Sequence, residues 1–148
     1  MAIIEVTSKD ETQDISLRAK GEIDRAGLGI ETFGPGGLSA EMKDGKVIVW
    51  KDNADPRVFA IVLPQPPDVI VRWVGCPSEK QPEVFLWLGE ELLRRLFVNA
   101  IFAPGFPLAE NAARLTGAKL ERDGLYHISI ATAVAKLRLL PIVNAGHI

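Results

Sequence analysis

The side chains able to bond a substrate or a metal are few and scattered. Cys76 is the only cysteine, and the two histidines, His127 and His147, stand far from it along the chain. A nucleophilic Cys–His pair would require the fold to bring Cys76 and His127 together. At the end of an apolar run and beside Pro77, Cys76 reads instead as a small buried residue. His127 and His147 match no metal-ligand spacing, so no metal site is assigned. The glycines of "FGPGG" at 33–37 are followed by a strand pattern, not by a helix whose N-terminus could hold phosphate, so they read as a turn. Trp50, Trp73 and Trp87 sit in strongly apolar patterns and read as packing residues, although three tryptophans could also stack on a ligand. Tyr126, the only tyrosine, alternates with Ile128 and Ile130 and is expected on their strand face.

The elements that would position these residues follow from periodicity. "AIIEV" is a short strand, and Ser8 with Glu11 forms a capping-box pattern that opens a helix. Ile15, Ala19, Ile23 and Ala26 recur at helical spacing, with Gly27 as the stop. "LSAEMK" and "KVIVWK" read as two strands around Asp44-Gly45. "RVFAIVL" and "DVIVRWVG" are two more, separated by "PQPP". Ser78 and Gln81 give a second capping pattern, after which Val84, Leu88, Leu92 and Leu96 step by four along a helix widened by Phe85, Leu93 and Phe97. Glu90 with Arg94, and Glu91 with Arg95, are expected to pair on its solvent face.

"VNAIFA" is a buried strand. "PLAENAARLTGAKLERDG" then reads as a short helix with Pro107 in its first turn, a stop at Gly117, a strand "AKLE", a turn at Asp123-Gly124 and a returning strand "LYHISIA". Leu108, Ala112 and Leu115 are its expected apolar ridge, with Ala109 and Ala113 keeping the helix slim.

The totals set the class. A chain of 148 residues, 47% hydrophobic and 24% charged, fits one globular domain. Residues 1–148 are read as a single domain, with 132–148 as a C-terminal extension. A net charge of −2 disfavours nonspecific nucleic-acid binding. One cysteine and no secretory signal make a cytoplasmic location the expectation. The apolar run "ISIATAVAKLRLLPIV" is broken by Lys136, Arg138 and Pro141 before it could span a bilayer, so no membrane partner is expected.

The order β, α, β-meander, α, β, α, β-hairpin resembles the GNAT superfamily, the acetyl-CoA-dependent N-acetyltransferases. The residues that carry the likeness are Pro107, Ala109, Ala113, Gly117, Ala118, Leu120 and Glu121. The resemblance implies an α/β (α+β) fold with a mixed, mostly antiparallel sheet and helices on both faces. It also implies two functional features that this sequence lacks. Where the family has a glycine-rich pyrophosphate loop, this chain has "VGCPSEKQPEV". Gly75 is its only glycine, Pro77 and Pro82 remove two amide donors, and Glu79 and Glu83 oppose phosphate, with Lys80 as a partial offset. Where many members carry a tyrosine as general acid, four residues before the glycine, this chain has Ala113, which cannot transfer a proton.

The leading expectation is therefore a degenerate GNAT-like protein that acts by binding or assembly, through a protein partner or as a homo-oligomer. The resemblance extends to bacteriophage virion structural components, which would make the virion its location. No catalytic residue is assigned, cofactor-binding residues are left open, and no cofactor is expected. The alternative is an active N-acetyltransferase holding acetyl-CoA with backbone groups around Trp73 to Gly75. A second alternative is a small regulatory or immunity-type binding protein, favoured if the strands at 69–75 and 98–102 do not part. The apolar tail "AVAKLRLLPIVNAGHI" could pack on a partner or cover its own sheet edge.

Overall fold

A computed structural model describes residues 2–8, 10, 11, 14, 15, 17, 18, 47–105 and 108–140. The expected helix end at Gly27, the "FGPGG" turn, the Asp44-Gly45 hairpin, Pro107, His147 and the tail from Pro141 lie outside these residues.

Runs of β-branched and aromatic residues form a seven-stranded sheet. Its strands are β1 (Ile3–Glu5), β2 (Ile48–Asp52), β3 (Phe59–Gln65), β4 (Asp68–Gly75), β5 (Asn99–Phe102), β6 (Lys119–Leu120) and β7 (Tyr126–Ser129). Their order is β1-β2-β3-β4-β5-β7-β6. Every pairing is antiparallel except β4 with β5. The β3–β4 turn is tighter than "PQPP" suggests: Pro64 and Gln65 pair with Val69 and Asp68, leaving Pro66-Pro67 as the turn.

Among the described residues three helices follow the meander: α1 (Gln81–Arg94), α2 (Ala109–Thr116) and α3 (Ile130–Arg138). A parallel pair needs a crossover, and α1 supplies it. Helices cover both faces of the sheet. Trp50 meets Trp87 of α1 edge to face, with ring centroids 5.6 Å apart, which fixes the α1 face. The next residue, Lys51, must point to the other face. It pairs at 3.0 Å with Glu11, one of the helical residues between 10 and 18. The Ser8 hydroxyl accepts the Glu11 N–H at 3.2 Å, as the capping pattern requires.

Several boundaries differ from the sequence reading. Ser78 does not cap a helix: Ser78–Lys80 is a 3-10 turn, and α1 begins at Gln81 without a side-chain cap. Val84, Leu88 and Leu92 are buried as expected, but Leu96 is 84% exposed because the helix has already ended. Its φ of 70° reverses the chain, and the N–H groups of Leu96 and Phe97 bond the Leu93 and Leu92 carbonyls at 2.9 and 3.1 Å.

Arg95 pairs with Glu91 at 3.2 Å, as spaced. Arg94 also turns to Glu91, at 3.0 Å, and Glu90 meets Arg138 of α3 at 3.6 Å. That face is covered in part: the Glu91 side chain is 12% exposed.

On α2 the buried positions are Ala109, Ala113 and Thr116, with the expected ridge of Leu108, Ala112 and Leu115 only partly covered. Small residues on the inner face let the helix approach closely. Gly117 ends it at φ 80°, and a Cβ there would also strike the Lys136 ammonium.

The last strand ends at Ser129, not Ala131. The Ser129 hydroxyl receives the Thr132 N–H at 3.5 Å and opens α3, whose Ala133, Val134 and Leu137 are buried against α1 and α2. Ile130 is thus the first residue of a helix and not a strand neighbour of Tyr126. Among the described residues no helix is long and apolar enough to cross a membrane.

Candidate functional site

Parallel strands that part create the natural cleft of this architecture. Here the β4–β5 ladder stops at Val71 and Phe102, while β4 continues to Gly75 and the other chain turns away at Pro104-Gly105. A bulge falls at the point of departure. Val62 faces Val71 and Ile61 faces Trp73, so Arg72 is the extra residue and β4 bends there. The condition set for a module outside the family, strands that stay together, is not met.

The turn at the open end of β4 would have to receive a phosphate-bearing ligand. Pro77 and Pro82 have no N–H. Those of Lys80 and Gln81 are bonded to the Pro77 and Ser78 carbonyls. Gly75 has a packing reason: a Cβ on it would enter the Phe59 ring.

The cations at the turn are engaged. Lys80 Nζ lies 2.7 Å from Asp55 Oδ2, and Arg57 holds the same carboxylate through Nη2 at 2.9 Å and Nε at 3.0 Å. The Arg57 N–H adds a third bond, at 3.0 Å. Arg57 first and Lys80 second hold the Asp55 carboxyl well below the usual carboxylate range. The carboxylate in turn raises both bases. Asp52 is buried nearby, its Oδ1 accepting the N–H groups of Ala2 and Ala54 at 3.2 and 2.9 Å. With Glu79 and Glu83 at the turn, acidic groups outnumber basic ones.

A hydrogen bond from Asn111 Nδ2 to Gln81 Oε1 ties the first turn of α2 to the first turn of α1. Arg114 donates to Asn111 Oδ1 in the same chain of contacts. The helices flanking the cleft are thereby joined across its open end.

Ala113 lies on the buried face of α2, its carbonyl accepting the Gly117 N–H at 2.8 Å. Tyr126 carries a hydroxyl on the strand beside β5. It faces Phe102 across the β5–β7 ladder, with ring centroids 5.2 Å apart, and donates to Glu110 Oε2 at 2.7 Å. That bond, with some burial, raises the Tyr126 hydroxyl above its ordinary value.

The remaining candidates do not assemble. His127 pairs with Asp123 at 2.8 Å and lies level with Ile101, which is level with Ile70. Cys76 is six residues further along, roughly 20 Å at strand rise, so the two cannot act together. No group of metal-binding side chains occurs among the described residues. Trp73 and Trp50 are buried, and Trp50 lies between Trp87 and the Arg95 guanidinium, 5.2 Å from its centroid. The tryptophans are packing residues.

Sequence reasoning missed Asp55 and Glu110. Each acts on a partner distant in sequence, 25 and 16 residues away, and no local spacing announces either pair.

No protein-family model matches the sequence, and no curated protein does. Solved structures do match. An acetyltransferase of the GNAT family from Staphylococcus aureus Mu50 superposes with a TM-score of 0.62 at 8% identity, over 87% of this chain and 99% of that one. A putative acetyltransferase of the GNAT family from Desulfovibrio desulfuricans gives 0.56 at 10% identity, over 87% and 98%. Aminoglycoside 6'-acetyltransferase type Ii gives 0.52 at 14% identity, over 88% and 97%. Likeness at such identities speaks for architecture and not for activity: the chain has a GNAT-like fold.

Proposed function

We propose that the protein is a GNAT-fold domain that has given up acetyl transfer and works by binding or assembling with another protein. One observation carries the proposal: Asp55 holds both Lys80 and Arg57 at the turn where a pyrophosphate would be bound. A pyrophosphate arriving there meets two cations already bonded to Asp55 and outnumbered by the surrounding carboxylates, at a turn poor in free amide donors. The alanine at 113 agrees, since a departing thiolate would find no acid on α2. Isothermal titration with acetyl-CoA tests the reading. No heat up to millimolar ligand is expected, and micromolar binding would overturn it.

A second reading keeps the enzyme. Its support is the position of Tyr126 beside the last paired rung of β4 and β5, from which its hydroxyl could protonate a leaving thiolate while Glu110 orients it. This reading requires both acetyl-CoA binding and a loss of turnover in Tyr126→Phe of at least tenfold. The narrower form of the leading proposal, a bacteriophage virion component, rests on the sequence resemblance alone. It predicts co-sedimentation of the protein with assembled particles.

A further inference from the structure

Beneath the parting of the strands lies a partly open cavity of about 70 Å³, walled by the sheet and all three helices. Val71 and Val74 of β4, Phe102 of β5, Leu92 of α1 and Leu137 of α3 contribute large apolar walls. Small residues leave the space. Gly89, Ala100, Ala112 and Ala133 reach it from α1, β5, α2 and α3 respectively, and a larger side chain in place of one of these alanines would fill much of it. Among the described residues Thr116 is the single polar lining side chain, and its hydroxyl is spent on the Ala112 carbonyl at 2.6 Å.

Water held in a cavity needs two to four polar partners, and these walls offer none. An ionic ligand is disfavoured for the same reason, because no charged side chain among the described residues lines the space. Dispersion contacts with the walls favour hydrocarbon. An apolar cavity of roughly 150 Å³ accepts benzene, so this one encloses about half as many carbons, with the opening free for the rest of a longer molecule.

We propose that this cavity is a binding site for a short, uncharged aliphatic chain. The proposal stands on the cavity and does not depend on whether the protein transfers acetyl groups. Two sources share this chemistry, a free small hydrocarbon and the end of a longer amphiphile.

The test is methyl-resolved NMR of the full chain during titration with n-pentane and, separately, with octanoate kept below micelle formation. Saturable shifts of the Val71, Ile128 and Leu137 methyls with pentane are expected. The same shifts with octanoate would show that a chain end is accepted, whereas shifts with pentane alone would identify a small free hydrocarbon. In Ala133→Leu, or in Ala112→Val should the first variant fail to fold, the apparent affinity for pentane should fall at least tenfold. Unmoved methyls at pentane saturation would overturn the site, as would a filled variant that responds like the parent.

Discussion

Asp55 shows how one carboxylate shapes the chemistry of a turn. It is nearly buried and accepts from two cations and a backbone N–H, so its charge is retained in the folded state far more readily than in the unfolded chain. Its folded pKa lies below the ordinary 3.8, so its contribution is present above that value and is lost as pH falls towards the depressed one. Lys80 has the opposite sign. Its pKa is raised above 10.5, so its contribution is complete below that value and is lost as pH rises through the raised one. The thermal stability of the parent should therefore fall on acidification below 3.8, while Asp55→Asn starts less stable at neutral pH and loses less in that window. Parallel slopes for the two proteins would refute the linkage. Leu96 makes a second residue-scale case. A leucine at φ 70° with an 84% exposed side chain bears the left-handed penalty and gains little from burial. That penalty is about 1–2 kcal/mol, offset in part by the greater freedom of glycine in the unfolded chain. Leu96→Gly should stabilise by about 0.5–1 kcal/mol in urea denaturation, whereas destabilisation would show that the leucine makes a compensating contact.

Among the elements, α1 approaches α3 closely at Gly89. A Cβ on Gly89 would lie 2.7 Å from Val134 Cγ2, and Val134 is buried and stiff at its branched Cβ. Gly89→Ala gains about 1 kcal/mol of helix propensity but must push the helices apart, at a cost of about 1–3 kcal/mol. Net destabilisation is expected, with Val134→Ala in the same chain restoring much of the loss. Non-coupling of the two changes would mean the helices adjust independently. The same packing explains what the sequence revealed and what it hid. β3, β4 and α1 were legible because dense apolar runs dictate them. The inner face of α2 was not, because alanines and a threonine, not its leucines, make the close contact. The start of α3 was hidden because Ile130 and Ala131 read as the end of the last strand and residues from 132 as an extension, until Ser129 is seen capping a helix there. The scarcity of glycine at the end of β4 was visible in "GCPSEK". The engagement of its cations by Asp55 was not, since that depends on the β2–β3 turn reaching the end of β4.

At the scale of the whole molecule, α3 gathers the α1 face around the cavity. The Ile130 N–H bonds the Val98 carbonyl beside β5 at 2.9 Å, Arg138 reaches Glu90 of α1, and Lys136 stands over the end of α2. Described residues of the apolar C-terminal run thus pack on α1 and α2 of their own fold up to Leu137. Leu137 is buried and also faces the cavity, so Leu137→Ala should cost about 2–5 kcal/mol and enlarge the space. Ala133→Leu should act in the opposite direction. An empty cavity of about 70 Å³ costs roughly 1.7 kcal/mol at about 24 cal/mol per Å³, so filling it without strain recovers up to that amount. A gain in stability accompanied by loss of hydrocarbon uptake would mark the cavity as a site kept at the expense of stability. A loss of stability would show that the space is already required by the packing of α3, and that the small residues around it serve helix approach alone.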